Sequence, residues 1–181
     1  MSGILFISCG VPGSGKTTFL NHIKNTGEKI ISRDEIRFSL LKPGEDYFSH
    51  EEEVYAKFID DIVANINNDI NVYADATHLN PKSRYFLLKH IFNKGCKPFN
   101  IDAIYFKVPL EICKERNNMR KGTKTYVPED QLLKMFSRYE YPSYSEFFGN
   151  TNGGTLHTFN NIWEVNSEGD ITYVEKKGGW I

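Results

Sequence analysis

Residues 4–19 read Ile-Leu-Phe-Ile-Ser-Cys-Gly-Val-Pro-Gly-Ser-Gly-Lys-Thr-Thr-Phe. The apolar run predicts a buried strand from Ile4 to Cys9, and the pattern beyond the glycines predicts a helix from Lys16 to Asn25, closed near Gly27. Between them Gly10, Gly13 and Gly15 allow a turn that residues bearing a Cβ resist. Strand, glycine-rich turn and helix in that order begin an α/β unit, and the chain goes on alternating in the same way.

Lys29 to Ser32 reads as a second, short strand that ends at Arg33-Asp34. A long helix is expected to begin at Ser49, with Glu52 as capping-box partner and Val54, Tyr55, Phe58, Ile59, Ile62, Val63 and Ile66 on its apolar face. His50-Glu51-Glu52-Glu53 is then a helix start and not a metal cluster. Asn71 to Asp75 is a third strand, and Asn80 and Pro81 read as cap and first residue of a helix ending at Gly95. Ile101 to Val108 is a fourth strand. Pro109 starts a helix expected to carry both Arg116 and Arg120, a Gly-Thr-Lys loop follows, and Pro128 to about Tyr139 is another helix. Ile162 to Val165 is a candidate fifth strand and Ile171 to Val174 a sixth or a hairpin arm, within a C-terminal extension of about 155–181 that an Asn/Gly-rich stretch, Gly149 to Gly154, sets apart. The fold class expected is α/β, an open and mainly parallel sheet flanked by helices. With 181 residues, 40% of them apolar, one domain over 1–181 suffices for a core.

A formal net charge of -1 provides no global field toward nucleic acid or membrane, so any polyanion site is a local patch. Cys9, Cys96 and Cys113 are odd in number and scattered, without disulfide or metal-ligand spacing, and read as reduced core residues of a cytoplasmic protein. The first residues run straight into a strand, so neither a leader nor a membrane span is expected.

Gly10 through Gly15-Lys16-Thr17 fit G-x-x-x-x-G-K-[ST] in the strand-to-helix setting that the motif requires. Backbone N–H groups of Gly10, Pro12-Gly13-Ser14-Gly15 and Thr17-Thr18, proline excepted, face phosphate oxygens, and the helix N-terminus adds partial positive charge. Lys16 reaches the β- and γ-phosphates and the Thr17 hydroxyl serves Mg²⁺, so the ligand expected is ATP with Mg²⁺. No Asn-Lys-x-Asp element reads guanine; the nearest piece is Asn93-Lys94-Gly95.

Ligands of open α/β sheets lie beyond the carboxyl ends of the strands, and two acids stand there. Asp34 follows the second strand at the start of a short helix, where it either caps the helix or accepts a proton. Arg37, three residues on, shares its face and is suited to hold an anion beside it. Asp75 ends the third strand, with Thr77, His78 and Asn80 behind it, and either orders Mg²⁺ water or meets arginines that hold substrate. From Glu111 to Lys124 five cations face two glutamates, a net of +3. Within it Arg116 and Arg120, four apart, suggest a lid at about 114–127 whose arginines close on the triphosphate.

Taken together, GVPGSGKTT, Ile-Ser-Arg-Asp-Glu-Ile-Arg (31–37), Ala-Asp-Ala-Thr-His-Leu-Asn-Pro-Lys-Ser-Arg (74–84) and Glu-Arg-Asn-Asn-Met-Arg-Lys-Gly-Thr-Lys (115–124) resemble the kinase domain of phage-type polynucleotide 5′-kinases, a P-loop kinase fold, over roughly residues 3–140. The resemblance implies transfer of the γ-phosphate of ATP to the 5′-hydroxyl of DNA or RNA in nucleic acid end repair. It implies that Lys16 and Thr17 bind ATP·Mg²⁺, that Asp34 is the general base and that Arg37 holds the acceptor's 3′-side phosphate. Asp75 is then an essential second acid, Arg116 a lid arginine, and Arg120 or Lys121 the second lid cation. No Asp-x-Asp pair is present, so a 3′-phosphatase activity is not expected. Two other readings stand beside this one: a kinase of a nucleoside, a modified DNA base or another small alcohol, and a non-catalytic nucleotide-binding regulator. Homo-oligomerisation is left open.

Overall fold

The computed structural model describes residues 3–97, 99–147 and 158–176; the stretch 149–154 expected to set off the C-terminal part lies outside them. The elements are β1 (Ile4–Cys9), α1 (Lys16–Ile23), β2 (Lys29–Ser32), α2 (Arg33–Leu40), α3 (Glu51–Asn67), β3 (Val72–Asp75), α4 (Pro81–Asn93), β4 (Asn100–Phe106), α5 (Leu110–Asn118), α6 (Glu129–Ser137), β5 (Asn161–Val165) and β6 (Ile171–Tyr173). The strands form one sheet in the order β2-β3-β1-β4-β5-β6. The first five are parallel, and β6 returns antiparallel on β5 as a hairpin arm.

The period-2 pattern of β1 divides the core between the two faces of the sheet. Leu5, Ile7 and Cys9 pack with Phe58, Ile62 and Ile66 of α3 and Leu87, Leu88 and Ile91 of α4. Phe6 points the other way, into a second cluster with Leu20, Tyr73, Ile104, Phe106 and Leu132. Each such side chain, taken fully out of water, contributes about 1.5–3 kcal/mol. Parallel strands between two helical layers are buried on both faces, as all four residues of β3 are.

Local sequence explains some helix starts and not others. At α4 the Asn80 side chain accepts from the Ser83 N–H (3.0 Å), Ser83 answers, and Pro81 opens the helix as expected. The capping box expected of Ser49 and Glu52 is absent: Ser49 lies in a turn, α3 begins at Glu51, and its cap residue His50 makes no side-chain capping bond. Ser32, not Asp34, caps α2, its hydroxyl accepting from the Glu35 N–H at 3.4 Å. The helix of the basic segment stops at Asn118, so Arg116 and Arg120 do not share a helix face. The buried Asn117 side chain explains the stop, because it bonds the Val127 carbonyl (2.7 Å) and N–H (3.1 Å) and ties both ends of the loop together. Of the expected lid, residues 114–118 are therefore the last part of α5, and the loop runs between.

Cys9, Cys96 and Cys113 are unpaired; Cys9 and Cys113 are buried, and Cys96 is half-buried and packs against the core from its edge. Burial pushes the Cys9 thiol up to about 12 and that of Cys96 up to about 11, which keeps both protonated and unreactive. Among the described residues, no helix is long and apolar enough to cross a membrane.

Candidate active site

Because β1 is flanked by β3 and β4, the loop that follows it emerges at the centre of the carboxyl edge. The Gly10 N–H donates to the Thr77 carbonyl (2.9 Å), fastening this loop to the one after β3. Gly13, at φ 82°, rests on the backbone of α5 so closely that a Cβ there would stand 2.3 Å from the Cys113 carbonyl oxygen. A Cβ on Gly10 would come within 2.7 Å of the Ser14 hydroxyl, which is buried and has no partner in the protein. The loop is thus a cradle whose curvature glycine alone permits; of the amides expected to face phosphate, those of Gly10 and Ser14 are instead spent on the Thr77 and Val11 carbonyls.

Lys16, half-buried, lays its ammonium on the Val11 carbonyl at 3.1 Å. Burial lowers its pKa from the usual lysine value, and the carboxylates of Asp75 and Asp34 oppose that shift. The Thr17 hydroxyl donates to Asp75 Oδ2 at 2.7 Å. Asp75 is buried, which raises its carboxyl pKa against the pull of Lys16 and of the Thr17 hydroxyl. A threonine hydroxyl and a strand-end carboxylate side by side are hard oxygen donors that suit Mg²⁺, which typically keeps several waters and takes one or two carboxylates.

The second half of the site is built by α2 and by the chain from Leu41 to Glu51. Arg37 is buried, and its Nη1 donates to Asp34 Oδ1 (2.5 Å) and to the Tyr47 hydroxyl (2.7 Å), while Nη2 donates to Glu51 Oε2 (2.8 Å). The Tyr47 hydroxyl in turn donates to Asp34 Oδ1 at 2.7 Å. That bond, with burial as the larger cause, pushes the Tyr47 phenol above its usual pKa. The Tyr47 ring also lies under the guanidinium, 4.3 Å from centroid to carbon. Asp34, by contrast, leaves 59% of its side chain open to solvent.

Both halves line one cleft of about 910 Å³. Gly13, Gly15, Lys16, Thr17 and Asp75 stand at one end and Asp34, Arg37 and Tyr47 at the other, with Arg120 and Lys124 on the loop side. Lys124 sits 4.2 Å from the centre of the Phe38 ring, so the basic loop touches α2 across the cleft. Arg116 is placed differently: its Nη2 donates to the Ser167 carbonyl (2.9 Å), and Nη1 lies 3.5 Å from where a Gly15 Cβ would be. Lys121, the alternative second lid cation, is exposed and does not line the cleft.

Three contributors escaped the sequence reading. Tyr47 had no motif to mark it, and Glu51 was taken as one acid in a helix start. Asn117 was one polar residue among several. Asn117 alone left a local trace, since a buried asparagine at a helix end is a ready staple for the loop beyond it.

A phosphate-cradling loop between β1 and α1 of a parallel sheet, with a strand-end aspartate beside its threonine, defines a P-loop kinase-like, nucleotide-binding domain. The chain belongs to the AAA domain family (AAA_33), which matches residues 5–142. Among solved structures it resembles a chain of the Pnkp1/Rnl/Hen1 RNA repair complex, at 23% identity and TM-score 0.65, over 76% of this chain and 44% of that one. It also resembles a sugar kinase from Janibacter sp. HTCC2649, at 16% identity and TM-score 0.61, over 94% of this chain and 88% of the other. A gluconokinase from Sinorhizobium meliloti 1021 matches at 16% identity and TM-score 0.52, over 92% and 83%. At these identities the likeness is one of fold, and this chain spans less than half the length of the RNA repair protein it matches. No curated protein matches the sequence.

Proposed function

We propose that the protein transfers the γ-phosphate of ATP to the 5′-hydroxyl end of a DNA or RNA strand. The observation that carries this reading is the pairing, in one cleft with the phosphate loop, of an open carboxylate with a buried arginine fork that already holds a carboxylate. Asp34 Oδ1 accepts an O–H from Tyr47, so the same oxygen is placed to take the proton of an acceptor hydroxyl. Arg37 grips an anion, and a planar fork suits the phosphate on the 3′ side of a terminal sugar. Aromatic and apolar side chains among the residues that line the cleft, Phe38, Tyr47, Phe48, Tyr126 and Met135, suit a base.

In the reaction the acceptor oxygen attacks the γ-phosphorus as its proton passes to Asp34, and the bond to the β-phosphate oxygen breaks to release ADP. Lys16 meets the β- and γ-phosphates from the loop, and their negative charge favours its ammonium against the burial that lowers its pKa. Thr17 and Asp75 would hold Mg²⁺, which draws charge from the phosphates as the bond breaks. Arg120 and Lys124 face the transferring group from the loop, and Arg116 approaches it from beside Gly15. Positioning and charge stabilisation supply most of the acceleration, since phosphoryl transfer asks little covalent work of a protein.

The test compares acceptors. A nucleoside 3′-monophosphate is expected to accept label from γ-labelled ATP far better than the matching nucleoside, and Arg37→Ala to erase most of that preference. Equal use of nucleoside and 3′-phosphate, with Arg37→Ala indifferent, returns the protein to the kinases of small alcohols. Hydrolysis or binding of ATP with no acceptor at all makes it a regulator.

A further inference from the structure

A second groove, of about 420 Å³, opens beside the acceptor end of the cleft and shares Arg33 and Glu51 with it. Its walls are the faces of α3 and α4: Tyr55 on one side, Phe86 and His90 on the other. The rings form a continuous aromatic surface. Tyr55 and His90 meet edge to face at 5.3 Å, and Phe86 and His90 lie 6.5 Å apart at 39°. Phe86 leaves 42% of its surface exposed, so its ring is open to a stacking partner.

Two cations border this surface. The Arg33 guanidinium lies 5.1 Å above the Tyr55 ring, and the Lys82 ammonium 5.9 Å from that of Phe86. Arg33 precedes Arg37 by one turn of α2, and Glu51 bridges the two guanidinium groups. The Cβ atoms of such a pair stand about 5–6 Å apart, a spacing comparable to that of successive phosphates along a strand. The Nε of each arginine is buried without a protein partner, so both retain a donor beyond the Glu51 bridge.

We propose that this groove is the subsite for the second nucleotide of the acceptor, with its base on Tyr55 and Phe86 and the phosphate that follows it near Arg33. The proposal rests on the reading of Arg37 as the holder of the first 3′-side phosphate. From Arg37 the strand has a continuous path past Arg33 into the groove. Stacking on aromatic faces tolerates any base, so the subsite measures the length of the acceptor and not its sequence. Glu52, at the rim, offers an acceptor to a base edge but no site for phosphate.

The experiment measures KM and kcat with saturating ATP for three acceptors: thymidine 3′-phosphate, the thymidine dinucleotide bearing a 3′-phosphate, and that dinucleotide with an abasic second unit. The dinucleotide is expected to have a KM at least about five-fold below the mononucleotide, the lower end of what one stacked base contributes. The abasic dinucleotide should lose most of that gain. Phe86→Ala should remove most of the difference between the two KM values, as the abasic unit does, and Phe86→Trp, which keeps a ring, should preserve it. A ratio near one in the unaltered protein, or one that survives Phe86→Ala, overturns the subsite and leaves the acceptor reading standing. Absence of transfer to all three acceptors overturns both.

Discussion

Two buried arginines, Arg84 on α4 and Arg37 on α2, have surroundings that differ in kind. Arg84, fully buried, has every nitrogen partnered: Nε and Nη2 grip Glu146 at 2.8 and 2.7 Å, and Nη1 donates to the carbonyls of His78 (2.9 Å) and Glu140 (3.1 Å). Arg37, 4% exposed, has an unpartnered Nε, and its partners are two carboxylates with one foot in solvent and the hydroxyl of a surface tyrosine. The first arginine is saturated by its own chain and has nothing left to offer a ligand. The second is held in place by groups that a phosphate and a hydroxyl can replace. Burial and pairing alone do not separate a structural clamp from a binding group; the count of satisfied donors does.

Removing one group from each corner separates the two arginines. The largest effect is expected at Asp34, where Asp34→Asn should reduce transfer by about 10² to 10⁴ and leave both ATP binding and the urea midpoint unchanged. Steady-state transfer beside equilibrium nucleotide titration checks this. Equal turnover would return Asp34 to a structural role at the start of α2.

Arg84→Ala should do the opposite, costing about 3–5 kcal/mol of stability because it leaves Glu146 buried without its cation. Urea unfolding measures it. A loss under about 1 kcal/mol would mean that the clamp is ornamental.

His78 belongs to the same corner, since its carbonyl receives Arg84 and its ring Nδ1 lies 2.7 Å from the Ser8 carbonyl. Burial holds its pKa down at about 4, against 6.5 for an ordinary histidine. Between those values the unfolded chain takes up a proton that the folded chain refuses, so stability is fully present above about pH 6.5 and falls as pH drops toward 4. The contribution is up to roughly 3 kcal/mol at 1.36 kcal/mol per pKa unit. His78→Asn, which tolerates the positive φ of 40° at this position, should flatten that part of a stability–pH curve. An unchanged slope would place the acid sensitivity elsewhere.

The smallest effect sharpens the contrast. Arg37→Ala should lower stability by about 1 kcal/mol or less, because Glu51 keeps Arg33 and Asp34 is open to water. Thermal unfolding of Arg37→Ala beside Arg84→Ala reads the difference between the two arginines directly.

Much of this architecture was legible because it is local. The strand, turn and helix from Ile4 to Ile23 are carried by a contiguous apolar run, three glycines and a helical segment, and Asn80-Pro81 announced α4 by a cap and a fixed φ. Where the reading failed, a distant partner had overridden a local signal. Arg120 sits outside α5 because Asn117 turns its amide to Val127, ten residues on, and closes the loop there. Ser49 and Glu52 have capping-box spacing, yet the chain from Leu41 to His50 is spent in turns that bring Tyr47 to Asp34, and the helix starts two residues late.

By itself the sequence determined the phosphate loop, the parallel α/β order and the placing of Asp75 at the end of β3 and of Lys16, Thr17, Asp34 and Arg37 on the helices that follow β1 and β2, because each depends on neighbours within a few positions. Only the tertiary structure decided that Thr17 meets Asp75 across 58 residues, that Glu51 rather than Glu52 bridges Arg33 and Arg37, and that Arg84 spends its donors on Glu146, 62 residues away. Spacing along a chain sets which face of an element a side chain takes. Which charge waits on the other side is set by the path of the backbone, and that path follows from burying two apolar faces of one sheet at once.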